Sequence, residues 1–263
     1  MVLQLGENQF HIDPGPGALS RAVQFGVNIR ATNAILVSHN HLNHAAEVNS
    51  LISAMTYSGF DKKGVLIANK TLINGEEDYE PFLLKYYRNF LERYIVLEEG
   101  KKAGINEIEI QALKTNHSDP NAIGFKFFTP QFTLAYTSDT KYSSDLIEQY
   151  KNSNILILNI LSNKKQSDNL STEDAKKIIK EVNPRLAIIQ HFGIDMVKSD
   201  PLYEAREIQK ETKVQTIAAK DGMVLNPVSY SVHQGQRTLH AFPSKETPSP
   251  KITEIKEETE ITQ

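Results

Sequence analysis

Three imidazoles fall within six residues in His39-Asn40-His41-Leu42-Asn43-His44. They directly follow the short apolar run Ala34 to Ser38 and precede a segment of helical spacing that starts at Ala45. If the chain is extended there, His39 and His41, two residues apart, point the same way. His44 comes after the turn and reaches back from the start of the helix. Neutral imidazole is a common ligand for zinc and other divalent transition metals. A single histidine is more often a packed or surface residue, but a cluster this dense at the end of a buried strand argues for a metal site.

Further candidates share that setting. His117 follows the strand-like IEIQALKTN, Asp139 follows TLAYTS, and His191 follows LAIIQ. Of eight histidines, five (His39, His41, His44, His117 and His191) therefore lie just past apolar runs. In open α/β sheets, ligands bind outside the carboxyl ends of the strands. His11, before a turn, and His233 and His240, near the C-terminus, are weaker candidates.

The elements that must position these residues alternate along the chain. Strands are expected at Leu3 to Ile12, Ala34 to Ser38, Val65 to Ala68, Ile108 to Leu113, Gly124 to Phe128, Phe132 to Thr137, Asn154 to Ile160, Leu186 to Gln190, Val214 to Ala218 and Met223 to Leu225. The short, fully apolar runs suit strands buried on both faces. Helices are expected at Ala18 to Phe25, Ala45 to Met55, Ser171 to Val182 and Pro201 to Thr212. A long amphipathic helix is also expected over Asp78 to Tyr94, with six aromatics forming its buried face or the mouth of a pocket. Ser171 with Asp174 three residues on reads as an N-cap close to a capping box. Asp13-Pro14-Gly15-Pro16-Gly17 is a strong turn signal. Strands interleaved with helices imply α/β layers. The domain is expected over 1–242, with 243–263, rich in Ser, Thr, Pro, Lys and Glu, as a disordered tail.

Composition narrows the chemistry. The 263 residues carry 40% hydrophobic and 23% charged side chains, a globular balance. There are no cysteines, which excludes disulfides, thiolate metal sites and Cys nucleophiles. The net charge of −3 gives no whole-molecule attraction to nucleic acid or anionic membrane. The N-terminus has neither the basic nor the apolar segment of a signal peptide, and no apolar run approaches a bilayer span, so the cytoplasm is the expected compartment.

The H-x-H-x-x-H run at 39–44 resembles the signature of the metallo-β-lactamase superfamily. The accompanying motifs stand in order: Asp13 in IDPGPGAL, His117 in NHSDPNAIGF, Asp139 in LAYTSDT, His191 in IIQHFG, and AAKDGMVL near the end. The resemblance spans about Leu3 to Asn226. It implies a four-layer αβ/βα sandwich, and IDPGPGAL is similar to the branch containing tRNA 3′-processing nucleases and small phosphodiesterases. It further implies that His39, His41 and His117 hold a first metal. His44, Asp139 and His191 would hold a second, with Asp139 bridging and Asp13 ordering the loop beneath. The implied cofactor is Zn²⁺, one ion or two, with Mn²⁺ or Fe²⁺ as alternatives. The implied reaction is metal-dependent hydrolysis of a phosphodiester or other small-molecule substrate by a metal-bound hydroxide. Bound zinc lowers the pKa of its water from 15.7 to roughly 7.

Departures from the family pattern define the alternative. The family has H-x-H-x-D-H, and here the Asp position, a second-metal ligand and proton acceptor, is Asn43. An amide carries no charge and cannot act as a general base. Asn169 stands where the nuclease-like branch often has a histidine, and Asn159 where acidic residues are common in relatives. The alternative is therefore a protein that keeps scaffold and metal with little turnover. A redox di-iron role is disfavoured, because that branch has a carboxylate at the position of His41.

Overall fold

Every residue of Ile155 to Ile160 is buried, and successive side chains go to opposite sides. Ile155 and Ile157 pack into a core between two sheets, while Leu156, Leu158 and Ile160 pack under helices. A strand apolar on both faces must be covered on both faces, and that requirement generates the layers. The computed structural model describes residues 1–231.

The first sheet runs β1 (Val2–Leu5), β2 (Asn8–Ile12), β3 (Ala34–Val37), β4 (Val65–Ala68) and β5 (Arg93–Val96) in that order. The second comprises β6 (Lys102–Ile105), β7 (Ile108–Lys114), β8 (Ile123–Phe128), β9 (Thr133–Tyr136), β10 (Ile155–Ser162), β12 (Leu186–Gln190) and β13 (Thr216–Ala218). Its order is 13-12-10-9-8-7-6, and the two-residue β11 (Leu170–Ser171) pairs with β10. Phe10, Ile12, Leu36 and Ile67 of the first sheet meet Ile110, Phe125, Phe127 and Ile157 of the second in one shared core.

Helices close the outer faces. α1 (Ala18–Gln24), α2 (Leu42–Ala45), α3 (Val48–Met55), α4 (Lys70–Asn74) and α5 (Lys85–Arg88) lie along the first half of the chain. Val48, Leu51, Ile52 and Met55 of α3 cover Ile35, Val37 and Leu66. α6 (Ile147–Tyr150), α7 (Thr172–Val182), α8 (Ile194–Lys198) and α9 (Pro201–Thr212) follow, with Ile178, Ile179, Ala205 and Ile208 over Leu156 and Leu158. The result is the expected α/β four-layer αβ/βα sandwich. Among the described residues no helix is long and apolar enough to cross a membrane. The expected boundary at 242 and tail 243–263 lie outside the described residues, as do His233 and His240.

Three expectations are corrected. Leu3 to Ile12 is not one strand but the antiparallel hairpin β1–β2, turning at Gly6 with φ of 58°. Met223 to Leu225 forms no strand, and Val224 is 91% exposed. The helix over Asp78 to Tyr94 is also absent. Pro81 disfavours helical backbone at the residue before it, and only the single turn α5 forms. From Arg93 the chain extends to add β5 to the sheet edge beside β4. Of its six aromatics, Phe82, Tyr87 and Phe90 pack on the α3 core, Tyr86 and Tyr94 are exposed, and Tyr79 turns to the histidine cluster.

Ser171 caps α7 as its spacing implies. Its hydroxyl accepts from Asp174 N, and Asp174 Oδ2 accepts from Ser171 N, a complete capping box.

Candidate metal centre

Strand ends deliver the cluster. His39 lies two residues past β3, His117 three past β7, Asp139 three past β9, and His191 directly past β12. At two of these ends, and after β2 as well, the backbone is forced into positive φ at a non-glycine residue: Ser138 after β9, His191 after β12, and Asp13 after β2. Such conformations cost of order 1–3 kcal/mol each and persist where surrounding structure imposes them.

All five histidines and Asp139 converge. His41 Nδ1 lies 3.1 Å from His117 Nε2. The His39 ring stands 4.7 Å from His41, 4.1 Å from His44 and 4.9 Å from His117. His44 Nε2, His191 Nε2 and Asp139 Oδ2 are mutually within 3.0, 3.3 and 3.5 Å. Donor atoms of His39, His41 and His117 lie within 4.8 Å of one another, as do those of His39, His44 and Asp139. His39 is fully buried, and its Nε2 has no hydrogen-bond partner. A buried nitrogen without a partner, amid ring nitrogens that face one another, is the arrangement a cation would satisfy. The residues present therefore fit a metal.

A layer of acceptors sets the rings. Asp13 Oδ2 sits 2.9 Å from His44 Nδ1 and accepts from the Tyr136 hydroxyl at 2.7 Å. Asp13 also accepts from Ser38 N and Ser38 Oγ, both at 2.7 Å. Ser38 Oγ in turn lies 2.9 Å from His39 Nδ1. Asp168 Oδ2 lies 3.0 Å from His117 Nδ1. Asn159 Nδ2 donates to Asp139 Oδ1 at 2.6 Å and to the Tyr136 hydroxyl at 3.1 Å. Asn159 is thus buried in the network rather than a surface or capping residue. Each outer nitrogen held this way leaves the inner one facing the cleft.

Charge follows the same plan. Burial pushes the His44 imidazole down, but Asp13 and Asp139 override it and raise its pKa from 6.5 to about 10. Burial pushes Asp13 up, and His44 overrides it, leaving its carboxyl at about 2. Asp139 is held below the ordinary carboxylate range in spite of burial, chiefly by its bond to His44. Burial, reinforced by His44, drives His39 well below 6.5. Burial and the neighbouring His117 lower His41, and burial lowers His191. Neutral imidazoles are the ligating form.

Asn43 is exposed, and its amide nitrogen lies 2.8 Å from His191 Nε2. The loop before it is packed against its backbone: a Cβ on Gly15 would stand 2.0 Å from Asn43 O. Glu47 holds the same loop by accepting from Gly17 N at 2.7 Å and Leu19 N at 2.6 Å. His11 stays apart from the cluster, buried beside Gln9, with its nearest polar side-chain contact at 3.4 Å.

Sequence reasoning missed Asp168, Asp119 and Tyr136. Asp119, 1% exposed, accepts from Asn40 N, Asn69 Nδ2, Thr71 Oγ1 and Asn121 N, and so pins the loop carrying His41. Its signal was its place two residues after His117. Asp168 precedes the Asn169 position where a histidine was sought, and it shares a bond with Ser118 at 2.9 Å. Tyr136 was read as an ordinary strand residue. With Asp13 and Asp168, two carboxylates stand behind the histidines in addition to Asp139.

The chain matches a family model described as a beta-lactamase superfamily domain over residues 8–192. It is 33% identical over 225 residues to the uncharacterized protein MJ1374 of Methanocaldococcus jannaschii, covering 84% of each chain. Among solved structures, the metallo-beta-lactamase fold protein YhfI from Bacillus subtilis superposes with a TM-score of 0.71 at 19% identity, covering 85% of this chain and 89% of that one. A diphosphatase from the PhnP family superposes with a TM-score of 0.65 at 17% identity, covering 86% and 82%.

Proposed function

Because the chain belongs to the metallo-β-lactamase superfamily, we propose that it is a metal-dependent hydrolase of phosphodiester bonds in small-molecule substrates. The observation that carries this reading is the pair of converging donor sets around the unpartnered nitrogen of His39. In this reading His39, His41 and His117 would hold one cation, and His44, Asp139 and His191 would hold a second. A bound Zn²⁺, or Mn²⁺ or Fe²⁺ in its place, would supply Lewis-acid polarisation of a phosphoryl oxygen and a water acidic enough to ionise near neutral pH.

The protein's own groups do the rest. Asp13 fixes the proton of His44 on Nδ1, which turns Nε2 to the cleft. Asn159 holds Asp139 Oδ1, so that Oδ2 faces His44 and His191. Asn43 orients against His191 but accepts no proton, so no carboxylate base stands at this position beside the second donor set. The diphosphatase neighbour supports phosphate chemistry on this scaffold. The acidic net charge favours a small substrate over nucleic acid.

A second reading, metal retention with little turnover, rests on the Asn43 amide facing His191. One experiment separates them. Protein prepared without chelator is analysed for metal content and assayed with bis(p-nitrophenyl) phosphate before and after chelator treatment. Bound metal with chelator-sensitive turnover is expected. Bound metal without turnover favours the second reading, and no bound metal overturns both.

A further inference from the structure

The segment 163–169 touches both the histidine cluster and a separate cavity. On one side Asp168 turns to His117. On the other, Lys165 and Ser167 line a distinct cleft of about 660 Å³, together with Lys141, Tyr142 and Lys177. That volume lies within the range of small-ligand sites, roughly 300–1,000 Å³.

Its charges are unevenly committed. Two carboxylates, Glu173 and Asp174, also line the cleft. Glu173 is paired with Lys176 at 2.6 Å, and Asp174 closes the α7 capping box. Lys177 lies 3.7 Å from Asp174 and 5.0 Å over the Tyr142 ring. Lys141 and Lys165, both exposed, make no ion pair with a carboxylate among the described residues. Two uncommitted ammonium groups and the Ser167 hydroxyl therefore line one cavity whose two carboxylates are already paired or capped, a set of free donors that suits a multiply charged anion.

The cleft is also close to the reacting centre along the chain. Lys141 is two residues beyond Asp139, a span of at most about 7 Å between α-carbons. Ser167 adjoins Asp168.

We propose that this cleft is an anion subsite that receives a second phosphoryl group of the substrate, so that preferred substrates carry a phosphate beyond the scissile diester. This rests on the phosphodiesterase reading above. The test uses a matched pair of substrates, a p-nitrophenyl phosphodiester of thymidine with a terminal 3′-phosphate and the same diester with a free 3′-hydroxyl. Wild type is expected to show a KM about tenfold lower for the phosphate-bearing diester, the scale of one charge-assisted hydrogen bond. K141A/K165A should erase that preference and leave the free-hydroxyl diester unchanged. Equal KM values in wild type, or a preference that survives K141A/K165A, overturns the proposal. If neither diester is cleaved, the hydrolase reading fails, and the subsite is judged by calorimetry with inorganic pyrophosphate. There a clear loss of affinity in K141A/K165A supports it, and identical binding by the two proteins overturns it.

Discussion

A histidine's quality as a ligand depends on what its other ring nitrogen touches. His44 leans on Asp13, His117 on Asp168 and His39 on Ser38, and each contact fixes ring orientation and tautomer. Loss of such a partner typically costs about 10- to 100-fold in metal affinity. Asp168→Asn should therefore weaken binding at the His39–His41–His117 set by about tenfold or more, while the melting temperature of metal-free protein stays unchanged. Competitive titration against a metal buffer checks this, and unchanged affinity would remove Asp168 from the site. Asn43→Asp should act in the other direction. A carboxylate 2.8 Å from His191 Nε2 adds charge beside the second donor set, where attraction to a dication is strong. About tenfold tighter binding of a second ion and faster diester cleavage are expected. No change in either would mean that the amide is matched to its surroundings. These residues differ in how readable they are. The H-x-H-x-x-H run is legible because one strand end and one turn carry all three rings. Asp168 and Asp119 come from irregular loops whose acceptors were assigned by tertiary contact, so no spacing announces them.

Elements hold the site by their ends. β3 and β12 were readable because a strand buried on both faces has few polar positions to blur its pattern. β5 was not, because its apolar content reflects an edge position in the sheet, and the same aromatics fit a helical period. The Asp13 to Gly17 turn was legible as a turn, but its purpose lies in packing. Gly15 sits where α2 approaches so closely that a methyl group would overlap Asn43 O at 2.0 Å. Gly15→Ala must push α2 or the loop aside, and forced overpacking typically costs about 1–3 kcal/mol. Because His44 belongs to α2 and Asp13 to the loop, the displacement should also separate the pair now 2.9 Å apart. The variant is expected to unfold at lower urea and to bind metal more weakly. Retention of both properties would show that the loop is free to adjust.

For the whole molecule, the histidines set how stability depends on pH when metal is removed. His39, His41 and His191 are lowered from the ordinary imidazole value, and His11 falls from 6.5 to about 4, each chiefly by burial. Below pH 6.5 the unfolded chain takes up protons at these positions and the folded chain does not, so acid favours unfolding. His11 alone contributes about 3 kcal/mol of destabilisation, reached in full only below its folded value of about 4. His44 has the opposite sign. Raised to about 10 by Asp13 and Asp139, its contribution is complete below 6.5 and is lost as pH rises through 10. Metal-free protein should therefore be most stable near pH 6.5, and its melting temperature should fall both toward pH 4 and toward pH 10. His11→Gln should make that acid decline shallower without altering metal content, because His11 lies outside the cluster. Added metal should change the alkaline side instead. A cation ligated by His44 Nε2 replaces the proton there, so binding at pH 8 is expected to release protons into a weakly buffered solution. A melting temperature that is flat from pH 7.5 to 4.5 without metal would contradict the burial of neutral histidines. Binding at pH 8 with no proton release would show that His44 is not a ligand, and the second donor set would then reduce to Asp139 and His191.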